Sequence, residues 1–370
     1  MKRTIGVIAG AAALLAMAAG CAASPPAATP RASAIATATA TATATAPGPT
    51  PTAIAEPSLR VPTTCDQLSP EAVRDAAAGA HVDPFDPHTG GYSVLAYADR
   101  RVGALDCSWR ATPPDPDRPW VAPSVSVEVL PGSNSEALAS FKGGWGVEGP
   151  SDPFFDCPSG LPGNCVFGGT RDGYQWIGTT SVGKGEADPA AARAVFDSAR
   201  AVMARLDAPG PLWEPDGGSL RGVTSSEGLL PLDRLQAAAG TGPLQAVKSE
   251  GGENAVSALG SARLVGGHWA TFAEVDGPKS VTIDALPGGT FGFDDRRAHP
   301  PAGTTEIAPA PVGEEAFFSR AGSSLRDDPT PGAVRLLDVK VKNSWVQVAS
   351  TTLTDDQLIA VARAVIQNLS

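Results

Sequence analysis

The stretch that comes nearest to a nucleotide-binding motif is residues 178–185, which read GTTSVGKG. A phosphate-binding loop cradles phosphates with backbone N–H groups, neutralises them with its Lys, and binds magnesium through a final Ser or Thr. Gly185 stands at that final position, and the next helix signal comes only at Asp188-Pro189. We therefore interpret the stretch as a strand that ends in a Gly-rich turn, and we expect no nucleotide as a partner.

Other catalytic patterns are incomplete. Ser181 and Lys184 form a Ser-x-x-Lys pair, but the Ser-Asp-Asn and Lys-Thr-Gly partners of penicillin-recognising enzymes are absent. The loop from Asp83 to His88 could hold a cation, although its prolines are more typical of a solvated loop. The histidines lack metal-ligand spacing, so we expect no catalytic residue, no metal and no cofactor; they are His81, His88, His268 and His299.

Two adjacent carboxylate pairs have structural explanations. Asp294-Asp295 is expected in a loop, and Asp355-Asp356 at the start of a helix. Acidic residues in a first helical turn are favoured by the helix dipole, so neither pair requires a catalytic role.

The amino terminus reads as an export signal with an anchor. Lys2 and Arg3 precede an apolar run from Ile5 to Ala19, and small residues lead to Cys21. Fifteen helical residues span only about 22 Å, which is short of the ~30 Å hydrocarbon core. The pattern resembles a bacterial lipobox, so residues 1–20 are predicted to be a signal peptide, with lipid, including palmitate, on Cys21. A plain secretory signal with an incidental cysteine is the alternative. The expected location is the extracytoplasmic side of the cell membrane.

Composition narrows the classes of partner. A chain of 370 residues suggests about two domains, and 42% hydrophobic residues suffice for sizeable cores. The net charge of -11 leaves no electrostatic footprint for nucleic acid.

The four cysteines after Cys21 predict two disulfides, because an exported protein meets an oxidising compartment. Four cysteines allow three pairings. The Pro/Gly loop between Cys157 and Cys165 favours closing that pair, which leaves Cys65 with Cys107. A metal site is the alternative, but there is no close Cys-x-x-Cys pair.

The elements predict an α+β fold of two tandem similar domains. Each would be an antiparallel sheet covered by an N-terminal helix and a long C-terminal helix. Residues 124–132 and 280–288 match down to a closing Leu-Pro-Gly, and other matches recur near an offset of 160 residues. They pair Trp109 with Trp269 and Trp176 with Trp345. One large α+β domain is the alternative.

The predicted boundaries follow composition. The Ala/Thr/Pro tract has too few large apolar side chains to fold, so it reads as a disordered stalk. Within the first domain, strands are expected at residues 93–98, 104–109 and 124–130, with a hairpin turning at 171–173 and a helix from Asp188 to Leu206. The expected divisions are a stalk at 21–62, a disulfide-bearing domain at 63–208, a linker at 209–222, and a cysteine-free domain at 223–370.

Residues 64–68, TCDQL, and 106–109, DCSW, carry a family resemblance. The chain resembles uncharacterised actinobacterial lipoproteins with a lipobox, a Thr/Pro-rich stalk and a Cys-x-x-Leu … Cys-Ser-Trp domain. The resemblance covers residues 65–206 and implies a Cys65–Cys107 disulfide. The second repeat fits only in outline. The domain is also distantly similar to extracellular sensor domains of actinobacterial kinases and to small lipoproteins that handle envelope lipids, but the resemblance implies no particular activity.

Trp120 and Trp145 are the candidate binding surface, because both are expected in loops where an exposed ring could line a cleft or meet a partner. The first hypothesis is a non-catalytic envelope lipoprotein that binds a ligand or protein partner. A carrier or chaperone for envelope lipids is the second, and an extracytoplasmic hydrolase is the third.

Overall fold

The structure is a computed structural model that describes residues 57–85, 94–112, 122–132, 135–223, 225–247, 268–300, 304–321 and 334–370. The predicted signal peptide, Cys21, most of the stalk, Trp120 and His88 lie outside these ranges. The described residues belong to one compact unit. None of the helices in these ranges is long and apolar enough to cross a membrane.

The first half contains helices on both sides of an antiparallel sheet. Its helices are α1 (Cys65–Leu68), α2 (Glu71–Ala78), α3 (Leu95–Val102), α4 (Ser135–Gly144) and α5 (Pro189–Met203). Its strands are β1 (Asp83–Pro84), β2 (Leu105–Arg110), β3 (Ser124–Pro131), β4 (Phe154–Asp156), β5 (Asn164–Arg171) and β6 (Tyr174–Ser181). The described strands are ordered β1-β2-β3-β6-β5-β4.

The second half contains another antiparallel sheet. Its helices are α6 (Ser226–Leu229), α7 (Leu232–Ala239), α8 (Thr290–Ala298) and α9 (Asp355–Leu369). Its strands are β7 (Leu244–Val247), β8 (His268–Glu274), β9 (Ser280–Leu286), β10 (Thr304–Pro309), β11 (Glu315–Ala321), β12 (Val334–Val341) and β13 (Ser344–Ser350). The described strands are ordered β7-β8-β9-β13-β12-β11-β10, so the molecule is α+β with two antiparallel sheets.

Local sequence explains where the long helices begin. The Asp188 side chain accepts a hydrogen bond from Ala190 N, and Pro189 occupies the first turn of α5. Thr354 and Gln357 form a reciprocal capping box at the start of α9. Both helices were expected, although α5 ends at Met203 rather than at Leu206.

The two central hairpins turn in the same way. Arg171 pairs with Tyr174 around Asp172 and Gly173, whose φ angles are 42° and 87°. Val341 pairs with Ser344 around two further residues with positive φ. Positive φ at both central positions matches the twist of the strands, so the hairpin predicted at residues 171–173 is confirmed.

Each long helix covers one face of its sheet. Val195, Phe196 and Ala199 of α5 pack with the alternate β3 residues, and Trp176 lies in the same core. In the second half, α9 forms the corresponding core with β9, β12 and β13. The opposite face of the first sheet is covered by α4, which contributes Leu138 and Phe141.

Residues 94–98 are not a strand, so the expectation of a strand over 93–98 is wrong. They belong to α3 and its N-cap Val94, and Gly103 ends the helix in the left-handed conformation. The apolar residues Val94 and Ala98 lie in a core with Trp345 of the second sheet. The short apolar run was misleading because α3 buries one side against the other half of the molecule.

Arg101 of α3 fixes the contact between the halves. Its side chain is only 1% exposed. Its guanidinium donates to Pro287 O at 3.0 Å, to Trp213 O, and to the Glu214 carboxylate at 2.9 Å. Trp213 and Glu214 lie in the segment expected to be a linker, so this part of it is held by hydrogen bonds between the halves.

A buried carboxylate lies on the face of the second sheet that is opposite α9, where α8 covers it. Asp338 is fully buried and accepts hydrogen bonds from Arg296 Nε at 2.9 Å, Trp345 Nε1 at 2.9 Å and Gln347 Nε2 at 2.7 Å. A buried charge is tolerated when it is paired and hydrogen-bonded in this way.

The strand registers correct two of the expected tryptophan pairings. In the first sheet, Trp109 pairs with Val125. Val281 is the counterpart of Val125 in the repeated stretch, and it pairs with Phe272. The counterpart of Trp109 is therefore Phe272 and not Trp269. Trp176 packs against Phe196 of α5, whereas Trp345 lies on the opposite face of its sheet, in the core that contains Phe293 of α8. The sequence match placed Trp345 one residue out of phase, and a one-residue shift along a strand changes the face.

Both expected disulfides are confirmed. Cys65–Cys107 joins α1 to β2, and Cys157–Cys165 closes the loop between β4 and β5. Their sequence separations are 42 and 8 residues.

Arg101→Ala should lower the free energy of unfolding by about 2–4 kcal/mol, because the buried carbonyl of Pro287 and the partly buried carbonyl of Trp213 lose their donor. Arg100→Ala is the matched control, since the Arg100 side chain is 45% exposed. We expect it to cost less than about 1 kcal/mol. Urea unfolding measures both, and equal losses would contradict the assigned role of Arg101.

Removing the two disulfides should have unequal effects. The chain-entropy relation gives about 4 kcal/mol for the 42-residue separation and about 2.5 kcal/mol for the 8-residue one. Cys65→Ala with Cys107→Ala should therefore destabilise the protein more than Cys157→Ala with Cys165→Ala. Guanidinium unfolding of the two double variants tests the order, which would be contradicted if the second pair cost more.

Candidate functional site

A cleft of about 520 Å³ runs along the C-terminal half of α5. One wall is formed by the exposed residues Asp197, Arg200, Ala201 and Ala204. Their spacing of three, four and seven residues places them on one face of the helix. The apolar face of α5 is buried on the sheet, so this neighbouring face is left to border the cleft.

The opposite wall comes from the loop before β4 and the end of β5. Asp152 accepts hydrogen bonds from both the backbone N and the hydroxyl of Thr170, and the first of these is 2.8 Å long. Gly169 permits this approach, because a Cβ there would lie 2.6 Å from Asp152 Oδ1 and 2.8 Å from Pro153 Cβ. Arg171 follows at the rim, and all but Gly169 line the cleft.

The floor of the cleft is apolar. Trp176 and Met203 border it, although each is at least 98% buried, so they present only their edges. Trp176 stacks on Phe196 with ring centroids 5.7 Å apart, which fixes the floor from beneath. The cleft therefore combines charged walls with a rigid aromatic base.

The charges of the walls are already paired. Asp197 Oδ1 lies 3.2 Å from Arg200 Nη2, one turn along α5. Arg171 Nε lies 2.8 Å from the Asp172 carboxylate. Each guanidinium has five N–H donors, so these contacts leave further donors for a ligand at the cleft.

Trp145, one of the two predicted tryptophans, does not line this cleft. Trp145 follows α4 directly and is 5% exposed, packed in a core with Phe141 and Phe154. The expectation that it is exposed in a loop is wrong, because the apolar side of α4 continues into it. Trp120 lies outside the described residues. The spacing of residues 197–204 predicts one exposed helix face, but the opposite wall comes from distant residues, so this spacing alone does not predict the cleft.

The remaining sequence candidates have structural roles. Residues 178–181 belong to β6, and Gly183 and Gly185 follow with positive φ, so the loop-like motif is a strand that ends in a turn. Asp355 and Asp356 open α9 as expected. Asp294 and Asp295 lie in α8 rather than in a loop; Asp294 binds Lys340 at 2.9 Å, and Asp295 accepts from the Tyr97 hydroxyl at 3.0 Å.

A second cluster of polar side chains surrounds His81, which sequence spacing did not reveal. Its Nδ1 lies 2.8 Å from Asp75 Oδ2, while Nε2 lies 3.5 Å from Asp83. Glu71, Asp75 and His81 bring one ligand atom each within 4.8 Å, close enough to hold a metal ion. Glu71 and Asp75 share a face of α2, and Gly79 turns the chain back toward them.

The charge of His81 itself also suits this cluster. The hydrogen bond and the attraction from Asp75 raise the pKa of His81 above its ordinary value of 6.5, and the same bond lowers the pKa of Asp75. The protonated imidazole of His81 is therefore a cation that the carboxylates of Glu71, Asp75 and Asp83 stabilise. In the second half, His299 is also paired with a carboxylate, at 3.2 Å from Asp295 Oδ1.

Asp75→Asn should bring the pKa of His81 back toward 6.5, because the residue then offers a neutral acceptor. Imidazole NMR shifts followed against pH measure this, and the His81→Gln spectrum identifies the signal.

Because the pKa of His81 is raised in the folded state, its contribution to the free energy of unfolding is complete below pH 6.5 and is lost as the pH rises through the pKa of the folded state. An unchanged His81 titration in Asp75→Asn would contradict the assigned cause.

Comparison of the chain with protein-family models, with curated proteins and with solved structures returned no match. The likeness to actinobacterial lipoproteins accordingly remains an expectation from the motif residues around Cys65 and Cys107.

Proposed function

We propose that this protein is a non-catalytic binding protein of the cell envelope, tethered to the extracytoplasmic side of a membrane by lipid on Cys21. The signal and lipobox residues support the tether. The cleft along α5 is the single observation that supports binding. Its volume of about 520 Å³ falls in the range of small-molecule sites, roughly 300–1,000 Å³.

We also propose that the body is a duplicated domain. Read from β7, the second sheet has the order of the first, with β10 added at one edge. Pro70 and Pro231 precede α2 and α7, and both helices end at a left-handed glycine. By the same correspondence, Ser226 and Ala270 replace Cys65 and Cys107, which explains why the disulfide is confined to one half.

The features of the cleft favour a polar ligand over the alternatives. A lipid carrier needs an apolar cavity for acyl chains, whereas this cleft is bordered by charged side chains from both walls. A hydrolase of the nucleophilic type needs a base beside a Ser, Thr or Cys nucleophile. Both ring nitrogens of His81 face carboxylates, so neither is directed at a hydroxyl or thiol nucleophile.

Native mass spectrometry of the full-length protein, purified from its own membrane, tests both parts of the proposal. We expect a retained ligand and the added mass of the lipid on Cys21. Ala201→Trp should remove the ligand, because the larger side chain enters the cleft from an exposed position. A ligand retained unchanged in Ala201→Trp would contradict binding at this cleft.

The matched control is Ala194→Trp, two turns earlier on the same helix and also exposed. Ala194 does not line the cleft, so this variant should keep the ligand. Cys21→Ser should lose the lipid mass, and an unlipidated wild-type protein would contradict the tether.

A further inference from the structure

The charge arrangement of the α5 cleft indicates the chemistry of its ligand, and this inference rests on the function proposed above. The Asp197–Arg200 and Arg171–Asp172 pairs each bring opposite charges within 3.2 Å. Both oxygens of Asp152 accept from Thr170. The two guanidinium groups at this site are thus paired with carboxylates, and the oxygens of Asp152 are hydrogen-bonded, before any ligand arrives.

A ligand with a net charge fits these pairs poorly. A carboxylate on the remaining donors of Arg200 lies beside Asp197, and an ammonium at Asp197 lies beside Arg200. In either case, repulsion by the like-charged partner offsets part of the new attraction.

A hydroxyl group fits the same pairs without separating them. It is both a donor and an acceptor, so it can donate to a carboxylate oxygen and accept from a guanidinium N–H. The Asp197–Arg200 pair offers a carboxylate acceptor and a guanidinium donor on α5. Asp152 and Arg171 offer the same two groups on the opposite wall of the cleft. Hydrogen bonds to charged groups are stronger than those between neutral groups.

The base of the cleft suits the C–H faces of such a ligand. Ala201 and Ala204 add methyl groups beside the edges of Trp176 and Met203. The space is limited to about 520 Å³, so the bound part is small. We propose that the cleft binds a neutral, polyhydroxylated unit, that is, an uncharged saccharide.

Saturation-transfer NMR with full-length protein tests this with charge-matched sugars. N,N′-diacetylchitobiose is neutral and chitobiose is cationic; lactose is neutral and sialyllactose is anionic. We expect transfer to the neutral member of at least one pair, and a weaker signal for its charged relative. Ala201→Trp should abolish the signal, and Ala194→Trp should preserve it.

A double variant, Asp197→Asn with Arg200→Gln, separates charge from hydrogen bonding. It removes both charges and keeps donors and acceptors on α5. The affinity for the neutral sugar should fall by no more than about a hundredfold, that is, about tenfold for each charge-assisted hydrogen bond that becomes a neutral one. A complete loss in this variant, while circular dichroism shows it folded, would overturn the neutral-ligand assignment.

The two proposals fail in different ways. If no neutral sugar in the panel gives a signal sensitive to Ala201→Trp, the saccharide assignment is overturned. If mass spectrometry then still shows a ligand that Ala201→Trp removes, binding at the cleft stands. Preference for chitobiose or sialyllactose over its neutral relative would likewise overturn the saccharide assignment alone.

Discussion

The burial of one face of each long helix against its sheet is the constraint on which the architecture depends. α5 packs Val195, Phe196 and Ala199 into the first core, and α9 closes the second in the same manner. Since an amphipathic helix buries only one side, its other faces are left exposed at the surface. The cleft along α5 is a consequence: the turn that carries Asp197 and Arg200 has to border the end of β5.

The contact between the halves depends on a different interaction. α3 lies between β1 and β2 in the chain, yet its apolar residues Val94 and Ala98 pack with Trp345 of the second sheet. Arg101 then donates to backbone carbonyls of both the second sheet region and the connecting segment. A helix that belongs to one half by sequence thus completes the core of the other.

Charged side chains have different consequences in the two halves. In the second half, Asp338 is enclosed and gathers Arg296, Trp345 and Gln347, so its charge specifies packing. At the cleft, Asp197 and Arg200 are exposed and paired, so they can take part in ligand hydrogen bonds at little cost to the fold. The proposed binding site accordingly lies in the first half, where these charged side chains stay exposed.

The sequence by itself determined the local features: the α+β class, the caps of α5 and α9, the hairpin at Asp172-Gly173, and both disulfide pairings. Each depends on residues close together in the chain, or on the small number of cysteines. Only the tertiary structure decided that residues 94–98 are helical, that Trp145 is buried, and that Trp176 and Trp345 face opposite sides. Period-two and helical patterns identify a buried side, but they do not say which distant element covers it. The cleft was missed for the same reason, because its walls are brought together from α5, the loop before β4 and the end of β5.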